Sequence, residues 1–184
     1  MMKRFSFLWL AVALVSVGCT NNSTSPKDAP FYETGTIPQT MSEKMPDDFG
    51  FSVSYGIEKK NEINSFTNTV TKDLIEDGTI TAAIALTEEE KAEIYDKMKE
   101  ADIRGTKNYI PNPINGTICE QTPFEEDQWE ITMNGETITH AVSGAYCEPT
   151  EDAKQLFALR NFVVSKMRSK EEYMKLPDAR GGYD

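Results

Sequence analysis

Residues 129–140 constrain the fold more than any other stretch of the chain. Trp129-Glu130-Ile131-Thr132-Met133 and Glu136-Thr137-Ile138-Thr139-His140 read with period two on either side of Asn134-Gly135. Asn-Gly supplies the positive φ that a two-residue type I′ turn requires at both central positions, so the segment is a β-hairpin. The turn also fixes the register, in which facing residue numbers add up to 269 as they do for the turn pair itself. Ile131 then opposes Ile138, and Trp129 opposes His140, on one side of the sheet. Continued outward, this count sets Cys119 against position 150 and Cys147 against position 122, three residues out of step. Both cysteines therefore sit near the open end of the hairpin, where a small loop adjustment brings their Cα atoms within about 6 Å. A disulfide closing a loop of about 28 residues contributes roughly 3–4 kcal/mol in the chain-entropy account.

The remaining elements follow from local patterning. From Phe49 to Ile57 every odd residue is large and apolar and every even one is Gly or Ser, which predicts a strand with one buried face. Glu58 to Asn61 reads as a polar turn. Phe66 to Leu74 reads as a second strand, with Phe66, Val70 and Leu74 on one face and Thr67, Thr69 and Thr71 on the other. Asp77-Gly78 is a turn, and Ile80, Ala82, Ile84 and Leu86 alternate in a third strand, completing an antiparallel meander. Thr87-Glu88-Glu89-Glu90 has capping-box spacing, and its three carboxylates favour the positive end of a helix running to about Ala101. That helix buries Ile94, Tyr95 and Met98. Residues 106–123 hold three prolines and form a loop. Thr150 caps a last long helix with a wide apolar stripe, Ala153, Leu156, Phe157, Leu159, Phe162, Val163, Val164 and Met167. The expected architecture is α+β: an antiparallel sheet of about five strands, a meander plus a hairpin, packed against two helices.

The N-terminal residues have a different character. Met1-Met2-Lys3-Arg4 is a short basic start, followed by the apolar run Phe5–Val17 and then Gly18-Cys19. The run is too short for a bilayer core of about 30 Å, which needs roughly 20 helical residues, and its flanks suit a secretory signal peptide at residues 1–18. Val15-Ser16-Val17-Gly18-Cys19 resembles the lipobox of bacterial lipoproteins. Ser16 stands where Leu is usual, and ordinary cleavage after Ser16-Val17-Gly18 remains the alternative. The resemblance implies that Cys19 is lipidated and becomes the N-terminus. Cysteine parity agrees, because three cysteines in an exported chain leave one over once Cys119 and Cys147 pair. Residues 19–47, rich in Pro, Thr and Ser, read as a lipid-anchored flexible tether with a mean span of about 30 Å. Residues 48–184 then form the single α+β domain.

Charge and chemistry narrow the function. Nineteen Lys and Arg against 30 Asp and Glu give a net charge of -11. Loss of Lys3 and Arg4 with the signal leaves 17 against 30, or -13, which disfavours nucleic acid and anionic surfaces and suits a cationic protein or peptide partner. His140, the only histidine, is the one imidazole available as a base or ligand, but its place opposite Trp129 suits a packed hairpin residue. Glu125-Glu126-Asp127, with Glu120 and Glu130 near, offers carboxylates to calcium but lacks the alternate spacing of an EF-hand loop, so it reads as a solvated acidic face. No phosphate loop or nucleophile elbow occurs, and no cofactor is expected.

The lipobox, the stretch from Asp48 to Phe66 and the ending Leu176-Pro177-Asp178-Ala179-Arg180-Gly181-Gly182-Tyr183 together resemble small uncharacterised lipoproteins of Gram-positive bacteria. That resemblance implies a place on the extracytoplasmic face of the cell membrane and no particular activity. The expected function is a non-enzymatic binding or interaction module of the cell envelope. The alternative is a small envelope hydrolase using His140 with a nearby carboxylate.

Overall fold

The computed structural model describes residues 40–183; the expected signal peptide, Cys19 and most of the expected tether lie outside the described residues. The alternation starting at Phe49 forms β1 (Gly50–Gly56), which buries Phe51, Val53 and Tyr55. A short 3-10 turn at Ile57–Lys59 leads into β2 (Asn61–Asn64), then β3 (Thr69–Asp73) and β4 (Thr79–Ala83). Helix α1 (Glu88–Glu100) follows, then β5 (Glu126–Met133), β6 (Glu136–Ser143), α2 (Glu151–Arg168) and the single turn α3 (Glu171–Met174). The six strands form one antiparallel sheet in the order β4-β3-β2-β1-β5-β6. The expected α+β class is therefore what the chain adopts, with one strand beyond the expected five.

The added strand is β2. Asn61-Glu62-Ile63-Asn64 has little β-propensity, and Ile63 is its one buried residue. Its place inside the sheet comes from pairing with β1 on one side and β3 on the other. Phe66, expected on the inner face of the next strand, lies instead in the turn between β2 and β3 and is 45% exposed. The Asn64 side chain is the reason. Its Oδ1 accepts from the amides of Phe66 and Thr67 at 3.0 and 3.1 Å, turning the chain back before β3 begins. The Phe66 ring lies on the outer face over Gly50, where a Cβ would come within 2.6 Å of the ring.

The hairpin forms in the expected register. Ile131 pairs with Ile138 and Trp129 with His140, and Asn134 and Gly135 take φ of 52° and 74°. Asp48 fastens the turn, its carboxylate accepting from the amides of Asn134 and Gly135 at 2.8 and 2.6 Å. Those two bonds hold the Asp48 carboxyl below its usual range.

Both helices cover the inner face of the sheet. The capping box of α1 is complete, with Glu90 N donating to Thr87 Oγ1 at 3.2 Å and Thr87 N donating to Glu90 Oε2 at 2.8 Å. Ile94, Tyr95 and Met98 from α1 meet Leu156, Leu159, Val163 and Met167 from α2 over Phe51, Val53, Ile63, Trp129 and Ile131. Residues 40–47 lie along α1: Met41 and Met45 pack on the core, and Tyr95 Oη donates to Ser42 O at 2.9 Å. At the far end, Arg180 pairs with Asp77 and Tyr183 Oη donates to Asp73 at 2.5 Å, docking the tail on the β3–β4 turn. Phe51→Ala should lower stability by about 3–5 kcal/mol, the range for a large core aromatic. Phe66→Ala should cost under about 1 kcal/mol, as an exposed residue does. Urea denaturation midpoints compare the two.

Candidate functional site

The open end of the β5–β6 hairpin gathers the cysteine pair and the acidic run singled out from the sequence. Within β5 and β6 facing numbers add up to 269, the last pair being Glu126 and Ser143. Pairing resumes farther out at Gln121 with Ala145, Glu120 with Tyr146 and Cys119 with Cys147. There the numbers add up to 266, so the three-residue offset is real and sits in one place. Thr122–Glu125 bulge out opposite Gly144 alone, whose amide donates to Glu125 O at 2.8 Å. A Cβ at Gly144 would approach that carbonyl to 2.9 Å. The bulge brings the two cysteines into step, with Cα atoms 5.5 Å apart and sulfurs at bonding distance.

Alternation along a strand separates the acidic run. Glu126 points to the outer face and pairs with Lys59 at 2.7 Å. Glu125 and Asp127 point the other way, toward α2, and share Arg160 at 2.7 and 3.2 Å. Asp127 is 1% exposed, and its Oδ1 has no partner among the described residues. Burial pushes its carboxyl up to about 6, with Arg160 opposing the shift. Arg160 in turn lies 5.7 Å from the ring centroids of both Tyr55 and Phe157. Among the described residues no three His, Cys, Asp or Glu side chains are grouped to hold a metal ion. Glu125, Glu126 and Asp127 are each paired with a cation of the protein. Glu130 is apart from them, on the outer face of the sheet beside Ser52.

His140 is locked in place. Ile103 O can only accept, so Nε2 carries the proton and donates to it at 2.8 Å. Nδ1 then accepts from Tyr109 Oη at 2.7 Å. Burial lowers the imidazole below its usual range, with Lys107 adding to the effect. Both nitrogens are occupied, and the neighbouring charge is a lysine rather than a carboxylate.

The loop between α1 and β5 is pinned before it reaches the cystine. Lys107 Nζ donates to Ala101 O at 2.7 Å, Asn108 N to Asp152 at 2.8 Å, and Thr150 Oγ1 to Asn108 O at 2.7 Å. Tyr109 packs on the core, and Asn115-Gly116 makes a tight turn between Ile114 and Thr117. Two clefts flank Cys147. One, about 330 Å³, is walled by Ile114, Ile118 and the cystine with Glu148 at its rim. The other, about 400 Å³, lies among Phe124, Tyr146, Phe157 and Arg160.

Arg160 and Asp127 went unrecognised as a pair in the sequence. Two signals point to it: Asp127 shares the inward parity of Trp129, Ile131 and Met133 on β5, and Arg160 interrupts the apolar stripe of α2 four residues after Leu156. An inward acid and an inward base need each other. No family model matches the chain, and no curated protein or solved structure does so either. Among the described residues no helix is long and apolar enough to cross a membrane.

Two outcomes follow from this geometry. Asp127 binds its proton more tightly folded than unfolded, about 6 against 3.8. Its contribution therefore falls as pH rises from about 4 to above 6, by about 3 kcal/mol in all. Urea midpoints should drop between pH 5 and pH 7 in the native protein, and Asp127→Asn should remove most of that drop. Replacing Cys119 and Cys147 together by serine should cost roughly 3–4 kcal/mol, read from the same titration.

Proposed function

We propose that this chain is an exported lipoprotein, held by acyl chains on Cys19 at the extracytoplasmic face of the cell membrane, where its α+β domain binds a cationic protein or peptide. The observation that carries the anchor is cysteine accounting. Cys119 and Cys147 stand at bonding distance from each other, which leaves Cys19 as the odd thiol, at the end of a lipobox-like stretch after a basic start and a short apolar run. Two acyl chains on one residue satisfy the two-signal rule for stable anchoring. A charge of -13 beyond the signal disfavours adhesion to anionic lipid and favours basic partners.

The binding reading is preferred to the hydrolase for a chemical reason. A general base needs a free lone pair within reach of a proton on substrate. The His140 lone pair at Nδ1 is taken by Tyr109, and its other nitrogen donates to a backbone carbonyl.

Mass spectrometry of the native protein should find an N-terminus at Cys19 carrying acyl mass, and Cys19→Ser should move the protein from the membrane fraction to the soluble one. An intact Met1, or an unmodified Cys19 thiol in a freely diffusing product, would overturn the anchor. In a deletion strain with a scorable phenotype, His140→Ala should complement as the native gene does. Failure to complement by a folded variant would favour the hydrolase.

A further inference from the structure

From Asn108 to Ala153 the chain has nine Asp and Glu and neither a Lys nor an Arg. Cations from elsewhere neutralise most of those carboxylates: Lys59 meets Glu126, Arg104 meets Glu136, Lys107 meets Asp152, Lys154 meets Glu151, and Arg160 meets Glu125 and Asp127. Among the described residues Glu120, Glu130 and Glu148 have no such partner, and Glu120 and Glu148 adjoin the cystine. The same loop carries Ile110, Ile114 and Phe124, three of the five large apolar side chains exposed among the described residues; Ile114 is 66% exposed. Uncompensated negative charge beside exposed aliphatic and aromatic surface is what a basic, apolar segment complements. The loop is clamped by Asp152 at Asn108 and by the disulfide at Cys119, so little ordering entropy is lost on binding.

We propose that the cleft walled by Ile114, Ile118 and the cystine docks a polypeptide segment that combines Lys or Arg with aliphatic side chains. The aliphatic groups enter the cleft at Ile114 and Ile118, and the cations meet Glu148 and Glu120. This rests on the reading of the domain as a binding module but is independent of the anchor at Cys19.

The test uses residues 19–184 carrying Cys19→Ser, with three 12-residue probe peptides: alternating Lys-Leu, alternating Lys-Ser and alternating Glu-Leu. Isothermal titration should show binding of Lys-Leu, at least tenfold weaker binding of Lys-Ser, and none of Glu-Leu. Amide NMR shifts on adding Lys-Leu should fall within residues 110–124 and 145–148. Ile114→Ser, at an exposed site, should weaken Lys-Leu by about tenfold. Glu148→Gln should weaken it roughly two- to fivefold at low salt. Equal binding of Lys-Leu and Lys-Ser, shifts centred on the outer sheet face at Glu62 and Glu130, or no binding at millimolar peptide would overturn this surface. Chemical crosslinking on intact cells separates that failure from failure of the binding reading: a partner captured through another face removes the surface and keeps the module.

Discussion

Burial of the inner face shared by β1 and β5 is the constraint on which the rest depends. Phe51 and Val53 pair with Ile131 and Trp129 across the middle of the sheet, and all four are fully buried. This seam joins the meander to the hairpin, which no short turn connects. Each side chain there removes apolar surface worth about 1.5–3 kcal/mol from water, and the two helices complete that removal from above. The small even residues of β1 serve the opposite face: Gly50 makes room for Phe66, and Ser52 and Ser54 lie in the outer polar rows.

One polar pair breaks the inner face, at its rim. Asp127 belongs to the row of Trp129 and Ile131, but it lies where β5 leaves the cover of the core and α2 brings Arg160 across. A buried carboxylate costs far more alone than with a guanidinium, and that guanidinium lies 5.7 Å from the ring centroids of both Tyr55 and Phe157. The pair ties α2 to the hairpin where the regular ladder ends. Beyond it the chain can bulge, resume pairing and close in a disulfide without disturbing the core.

The candidate site inherits its rigidity from these attachments. His140, the obvious catalytic suspect in a chain with one histidine, serves this scaffold: it joins β6 to Ile103 after α1 and to Tyr109 in the loop. With the acidic run divided between Lys59 and Arg160, the chemistry left exposed is a cystine with aliphatic, aromatic and carboxylate neighbours.

Sequence alone determined whatever rests on neighbours close along the chain. Asn134-Gly135 dictated the hairpin register because both residues accept positive φ, and Thr87 with Glu90 and Thr150 with Ala153 dictated helix starts because a cap reaches only three residues. The offset between Cys119 and Cys147 was visible as arithmetic; the bulge at Thr122–Glu125 that absorbs it was not. Tertiary structure decided what depends on distant partners. The strand Asn61–Asn64 exists through its ladders to β1 and β3, since its own side chains favour turns. Phe66 faces outward because Asn64 turns the chain beneath it. Asp127 finds Arg160, and His140 finds Ile103, across 33 and 37 residues, separations at which only the packed fold can bring two side chains together.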